Sequence, residues 1–265
     1  MRIKSLAGLK KTASREISLA ELPVEIFMTR YARDKAYAIN ELVRAVHKRS
    51  YEWYGFTLAA SQNPELIVDI GLPDNEQNQD QYVSLAPEKI AAYRDSLPES
   101  TVINGWIHSH GELAFRHFSE TDADNQATVL DYVTARLRLP VAKVEVVIQD
   151  LAILHEGAWQ EEDLKRGSVS LISDVPVSEA RIWETEYGGF CYAIVIGDDG
   201  WHDQEIHYKK RGILSGQTFV DKKNAPIRLM DDGRLLTRSD LETLEEEVKN
   251  RLSPVSYIPP KLEGL

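Results

Sequence analysis

The sequence predicts an α/β fold for residues 21–165 and a β-rich extension over residues 166–265 that ends in a helix. Three observations carry this expectation. Strand-like segments take turns with segments whose apolar residues recur at helical spacing. A nearly all-apolar run rich in β-branched residues, Val144 to Ile148, reads as a buried strand. Beyond Lys165, β-branched and aromatic runs are separated by turn chemistry at Gly197-Asp198-Asp199-Gly200 and Asp232-Gly233.

The elements follow in order. Residues 1–20 form a basic arm in which Arg2, Lys4, Lys10, Lys11 and Arg15 make a solvated leader. Val24 to Met28 is a first strand, ended by Thr29-Arg30. Asp34 to Lys48 is an amphipathic helix, with Ile39, Leu42, Val43 and Val46 on one face. Tyr51 to Ala60 is an aromatic-rich strand containing Glu52, a carboxylate in an apolar segment. Glu65 to Leu72 is a further strand and Pro73 to Gln81 a polar loop. Pro87 to Leu97 is helical, with Ile90, Ala91 and Leu97 facing inward. Thr101 to His110 is a central strand, and Gly111 to Phe118 a loop. Ser119 begins a helix whose Ala127, Leu130, Val133 and Leu137 keep helical spacing, and Pro140 marks its end.

In the extension, Val169 to Ile172, Phe190 to Ile196, Trp201 to Lys209 and Ile227 to Met230 are strands. A last helix begins near Ser239 with Leu241, Leu244, Val248 and Leu252 on one face, and the tail from Pro254 through Pro259-Pro260 is non-helical. This extension is expected to be a recognition, docking or oligomerisation module.

Composition narrows the function classes. Lys and Arg number 31 against 42 Asp and Glu, for a formal charge of −11 and a pI near 5.2. A net-acidic surface disfavours nucleic-acid and anionic-membrane partners. The single cysteine, Cys191, excludes an intrachain disulfide and a multi-Cys metal site. No apolar run approaches the roughly 20 residues that span a bilayer, and no secretory leader is legible, so the cytoplasm is the expected compartment.

The chemistry concentrates in Gly105-Trp106-Ile107-His108-Ser109-His110-Gly111 and Phe118-Ser119-Glu120-Thr121-Asp122. Imidazoles two positions apart on a strand project to the same face, and a carboxylate follows at the start of a helix. His-x-His with a nearby Asp offers three metal ligands and leaves a fourth tetrahedral position for water, the arrangement of a catalytic rather than a structural site. Plainer readings exist for each part. Ser119 to Asp122 is also the pattern of a helix N-cap with an acid at its third position, and Glu52 can start its strand at a solvent edge. His117 reads as a rim residue, and His202 and His207 as surface groups on opposite faces of a strand. His155-Glu156 lacks the second histidine of an H-E-x-x-H helix.

Taken together, Glu52-x-x-Gly55, Gly105-Trp106-Ile107-His108-Ser109-His110 and Ser119-x-x-Asp122 resemble the JAMM (MPN+) zinc metalloprotease family in its prokaryotic, JAB deubiquitinase-like form, over roughly residues 21–165. Two departures stand out. Gly111 to Phe118 make eight residues where the family has seven, and Gly111 stands where the family usually has proline.

The resemblance implies a mixed sheet flanked by helices, with Zn²⁺ held by His108, His110 and Asp122. It also implies Glu52 as general acid and base, and Ser119 as hydrogen-bond donor to the tetrahedral oxyanion. The implied activity is hydrolysis of an amide bond at the C-terminus of a ubiquitin-like protein. Two alternatives remain: the same zinc chemistry on a sulfur-carrier-like or other non-conjugated substrate, and a catalytically silent MPN scaffold. Oligomeric state is not legible.

Overall fold

The computed structural model describes residues 16–78, 85–113, 115–147, 150–177 and 181–254. The basic residues of the arm, the end of the 73–81 loop and the proline-rich tail lie outside the described residues.

The elements run β1 (Ile26–Thr29), α1 (Arg30–His47), β2 (Tyr54–Ala60), β3 (Leu66–Ile67), β4 (Asp69–Gly71), β5 (Asn75–Asn78), α2 (Pro87–Ser96), β6 (Thr101–Ser109) and α3 (Glu120–Arg136). They continue with β7 (Leu139–Val146), β8 (Leu151–His155), a 3-10 turn (Glu161–Lys165), β9 (Val169–Ser173), β10 (Ile182–Ile196), β11 (His202–Gly212), β12 (Thr218–Asn224), β13 (Ile227–Met230), α4 (Arg238–Arg251) and β14 (Leu252–Pro254). This is a mixed α/β protein. Its principal sheet has the order β12-β11-β10-β6-β2-β4, in which β6 pairs parallel with β10 and antiparallel with β2.

The chain forms two compact units, and the division does not fall at residue 165. The larger comprises Leu22–Arg138, Gly188–Lys209 and Phe219–Leu265; the smaller comprises Met1–Glu21, Leu139–Tyr187 and Lys210–Thr218. Much of the expected extension therefore shares a core with the first half. Leu244 and Val248 of α4 are buried in one apolar cluster with Ile39 and Val43 of α1, and β13 pairs parallel with β1 through Ile26↔Ile227 to Thr29↔Met230. Parallel strands this far apart in sequence follow no local turn signal, which is why composition alone separates the halves.

Within the larger unit, α1 begins at Arg30, earlier than its apolar spacing suggested. Thr29 is its N-cap, the hydroxyl oxygen accepting a hydrogen bond from the Ala32 backbone N–H at 3.1 Å, and Tyr31 and Ala32 of the first turn are buried. One side of the sheet packs on α1 and α4. The other packs on α2 and α3 around Trp106, Val129, Leu130, Val133 and Cys191. The expected strand over Glu65 to Leu72 is two short ones. The polar stretch after Pro73 contains β5, held by Asn75, whose side chain accepts from the Tyr54 N–H at 2.8 Å and donates to the Tyr54 carbonyl at 3.0 Å.

In the smaller unit, β8 and β9 pair parallel from Leu151↔Val169 to His155↔Ser173. Val144 to Ile148 does not form the buried strand expected of it. The strand begins at Leu139 and ends at Val146, Val144 and Val146 are only half-buried, and Val147 is 87% exposed. The apolar content of five residues was read as burial on both faces, but this strand lies outside the principal core.

Close packing around β6 sets its position. Gly105 lies where an added Cβ would meet the Tyr192 carbonyl oxygen at 2.3 Å and Thr57 Oγ1 at 2.8 Å. Gly105→Ala is therefore expected to force β6 away from β10, at a cost of about 2–3 kcal/mol. A denaturant titration showing an unchanged midpoint would contradict this.

Candidate metal centre

The site is built on β6 because that strand is held from both sides. Tyr54 of β2 and Val195 of β10 flank His108 in register, and past the strand's end the Ser109 N–H donates to Trp53 O at 2.9 Å and the His110 N–H to Ile196 O at 3.0 Å. The alternation of the strand sends Trp106 and His108 to the face covered by α3. The indole of Trp106 stacks on the His108 ring, centroids 4.5 Å apart. Glu52, two residues before β2, lies near enough to His110 and Asp122 for their charges to act on its carboxyl. Glu52 is 9% exposed, so the reading of it as a solvent-edge acid does not hold.

Asp122 arrives from the first turn of α3. Ser119 caps this helix: its hydroxyl accepts from the Asp122 N–H at 3.2 Å, while Asp122 Oδ2 accepts from the Ser119 N–H at 2.6 Å and from its hydroxyl at 2.7 Å. The capping box and the metal-ligand arrangement are one structure. The cap fixes the Asp122 rotamer, and the carboxylate it fixes faces the histidines.

The three side chains converge. His108 Nε2 lies 3.1 Å from Asp122 Oδ1, His110 Nε2 lies 3.2 Å from Asp122 Oδ2, and the two Nε2 atoms are 3.2 Å apart. His110 Nδ1 is 3.1 Å from the Phe115 carbonyl oxygen, an acceptor only, so Nδ1 carries a proton and Nε2 is the ring atom turned toward Asp122 and His108. An imidazole that gives up the proton it shares with Asp122 turns a lone pair toward that carboxylate in a buried site, and a cation would take the proton's place. The spacing also fits: tetrahedral nitrogen and oxygen ligands at 2.0–2.1 Å from zinc sit about 3.3 Å from one another. His108, His110 and Asp122 are all buried and could hold a metal ion.

Burial would lower the His110 imidazole, but hydrogen bonds to Asp122 and the Phe115 carbonyl and the charges of Asp122 and Glu52 raise it above its ordinary value, favouring a proton shared with Asp122 that a bound cation would replace. Burial lowers the His108 imidazole below its ordinary value, against the hydrogen bond and charge of Asp122, which favours the neutral ligand form. Burial would raise the Asp122 carboxyl, but hydrogen bonds from the two histidines, the His108 charge and the Ser119 backbone N–H hold it well below the usual range. Burial pushes the Glu52 carboxyl up to about 7, against the pull of His110 and with a further push from Asp122.

Of the other histidines, His117 is exposed and pairs with Asp203 at 3.0 Å, outside the cluster. His202 is exposed, as expected, whereas His207 is largely covered and pairs with Glu205 at 2.9 Å, which corrects its reading as a surface group. Gly111 has φ +54, a left-handed conformation that glycine adopts freely and that is closed to proline.

Sequence reasoning missed the supporting residues. Strand alternation could have found Trp106, two positions before His108. Of the expected α3 face, Leu130 and Val133 are buried and Leu137 packs against the core, but Ala127 is exposed, and Asn125 and Gln126 are buried beside them. Asn125 accepts from the Leu85 N–H, and Gln126 donates to Cys191 Sγ at 3.4 Å. Apolar spacing gives no signal for buried amides.

Fold and site define a mixed α/β protein with a buried His-His-Asp group that could hold a metal ion. No family model matches the chain, and no curated protein matches it. Among the described residues no helix is long and apolar enough to cross a membrane.

Two outcomes are expected. Purified protein should carry about one divalent metal per chain by elemental analysis, and a His108→Ala, His110→Ala double variant should carry none; a wild type that takes up no metal would refute the site. In metal-free protein the raised Glu52 value means that the folded state holds a proton that the unfolded chain releases. This contribution favours folding most at low pH and fades as pH rises from about 4.5 to 7. Glu52→Gln should therefore be more stable than wild type at pH 8, by on the order of 2–3 kcal/mol, with the advantage shrinking to near zero at pH 4.5. Parallel stability curves for the two proteins would show that Glu52 is not held in this way.

Proposed function

We propose that this chain is a zinc-dependent peptidase or isopeptidase of the JAMM type, acting in the cytoplasm on an amide bond near the C-terminus of a ubiquitin-like protein. The observation that carries the reading is the burial of Glu52, its carboxyl pushed up to about 7, near enough to the convergent His108, His110 and Asp122 group for the charges of His110 and Asp122 to act on it. The scaffold alternative has less support, since a chain that only held partners would have no use for a complete ligand set with a base beside it.

Zinc held by His108, His110 and Asp122 would supply Lewis acidity, acidifying a water and polarising the substrate carbonyl. The chain's own residues do the rest. The Glu52 carboxylate accepts the proton lost by water as its oxygen attacks the carbonyl carbon. It returns that proton to the amide nitrogen as the C–N bond breaks, leaving a carboxylic acid and a free amine. The Phe115 carbonyl holds the His110 ring in the ligating tautomer, and Trp106 holds the His108 ring by stacking. Ser119 donates to Asp122, and in the proposed reaction its hydroxyl turns from that carboxylate to the developing oxyanion. The substrate class comes from the motif resemblance alone.

Glu52→Gln is expected to keep its metal and to lose amide hydrolysis by about 10²- to 10⁴-fold. The assay is cleavage of an isopeptide-linked ubiquitin-like conjugate beside a linear C-terminal extension of the same protein. Undiminished cleavage by Glu52→Gln would remove Glu52 from the mechanism. Cleavage of the linear extension only would favour trimming of a carrier protein.

A further inference from the structure

Beside the candidate metal centre lies a cavity of about 310 Å³, bounded by the loop that leaves His110, by the turn between β10 and β11, and by Arg44 of α1. Its walls are fixed together. The Asp198 N–H donates to the Gly111 carbonyl at 3.1 Å, and Asp198 Oδ2 accepts from the Ser50 hydroxyl at 2.8 Å with Arg44 at 3.8 Å. Trp201 reaches from this cavity to the metal centre, its ring 6.1 Å from that of His110.

One cation already rests against this wall. The guanidinium of Arg116 lies 5.9 Å from the Trp201 ring and pairs with Asp199 at 2.7 Å. Both side chains of that pair are 58% exposed, so the contacts are weak and water can compete for them. Glu112, on the same lining, has no ion-pair partner among the described residues. The lining thus balances Arg44 against Asp198 and Arg116 against Asp199, and leaves one carboxylate over. An aromatic face, an exposed carboxylate and a spare negative charge are the elements of a cation site, and the chain's own arginine is using it.

We propose that this cavity is the subsite for a positively charged side chain of the substrate near the bond to be cut, and that Arg116 is an internal stand-in displaced when substrate enters. The placement near the bond rests on the hydrolase reading above; the cation preference rests on the cavity itself. A cavity of this volume accommodates an arginine or lysine side chain. Arg116 sits on the loop that leaves His110, close enough to Trp201 for its guanidinium to lie against the ring.

The test uses the full chain and small probes, read by the indole N–H resonance of Trp201 in a two-dimensional NMR spectrum, assigned with Trp201→Phe. Nα-acetyl-arginine methylamide should move that resonance in a saturable manner, and the glutamate and leucine analogues should not. In Arg116→Ala the arginine probe should bind roughly three- to tenfold tighter, because the competitor is gone; in Asp199→Asn it should bind weaker by a similar factor. Arg116 and Asp199 are exposed, so neither variant threatens the fold. Equal shifts with all three probes, or none with the arginine probe in wild type and Arg116→Ala alike, would overturn the subsite. Unchanged affinity in Arg116→Ala would overturn the stand-in. Metal content measured on the same samples reports separately on the hydrolase reading, so that its failure is distinguishable from failure of the subsite.

Discussion

Two imidazole nitrogens and a carboxylate meet at 3.1–3.2 Å with little water around them, and much of the larger unit serves to hold them there. Each of these groups has given up the water that solvated it, a cost that their mutual hydrogen bonds and the support behind them must offset. They stay because each is anchored from behind. His108 is stacked on Trp106, His110 is tied to the Phe115 carbonyl, and Asp122 is locked by the capping box of α3. A site preorganised in this way binds a cation without first spending energy on rearrangement.

The anchors depend in turn on the sheet. β6 is hydrogen-bonded on both sides, and its neighbours approach so closely at Gly105 that no side chain fits there. The β10–β11 turn beside the site, with Asp198 and Trp201, comes from a part of the sequence far from the histidines. The parallel pairing of β6 with β10 brings it in. What looks like an extension by composition is thus partly a wall of the site.

Ser119 illustrates how two readings of one motif can both hold. The cap pattern and the ligand pattern compete only if a residue has one partner, but a carboxylate has two oxygens and several lone pairs. Asp122 uses Oδ2 for the cap and for His110, and Oδ1 for His108. The helix terminus aims the ligand.

The sequence by itself determined what is local. The positions of β6, α3 and β13 followed from spacing and composition, and the candidate ligands His108, His110 and Asp122 followed from i, i+2 alternation on a strand and a carboxylate at a helix start. Tertiary structure decided whatever depends on distant pairing: the burial of Glu52 near His110 and Asp122, the packing of α4 on α1, and the burial of Asn125 and Gln126. It also decided that Val144 to Val147 lies outside the core although its composition says core. Alternation and helical spacing report which residues share a face of one element. Which element covers that face is set by contacts between segments far apart in the chain, and those leave no periodic mark in the sequence.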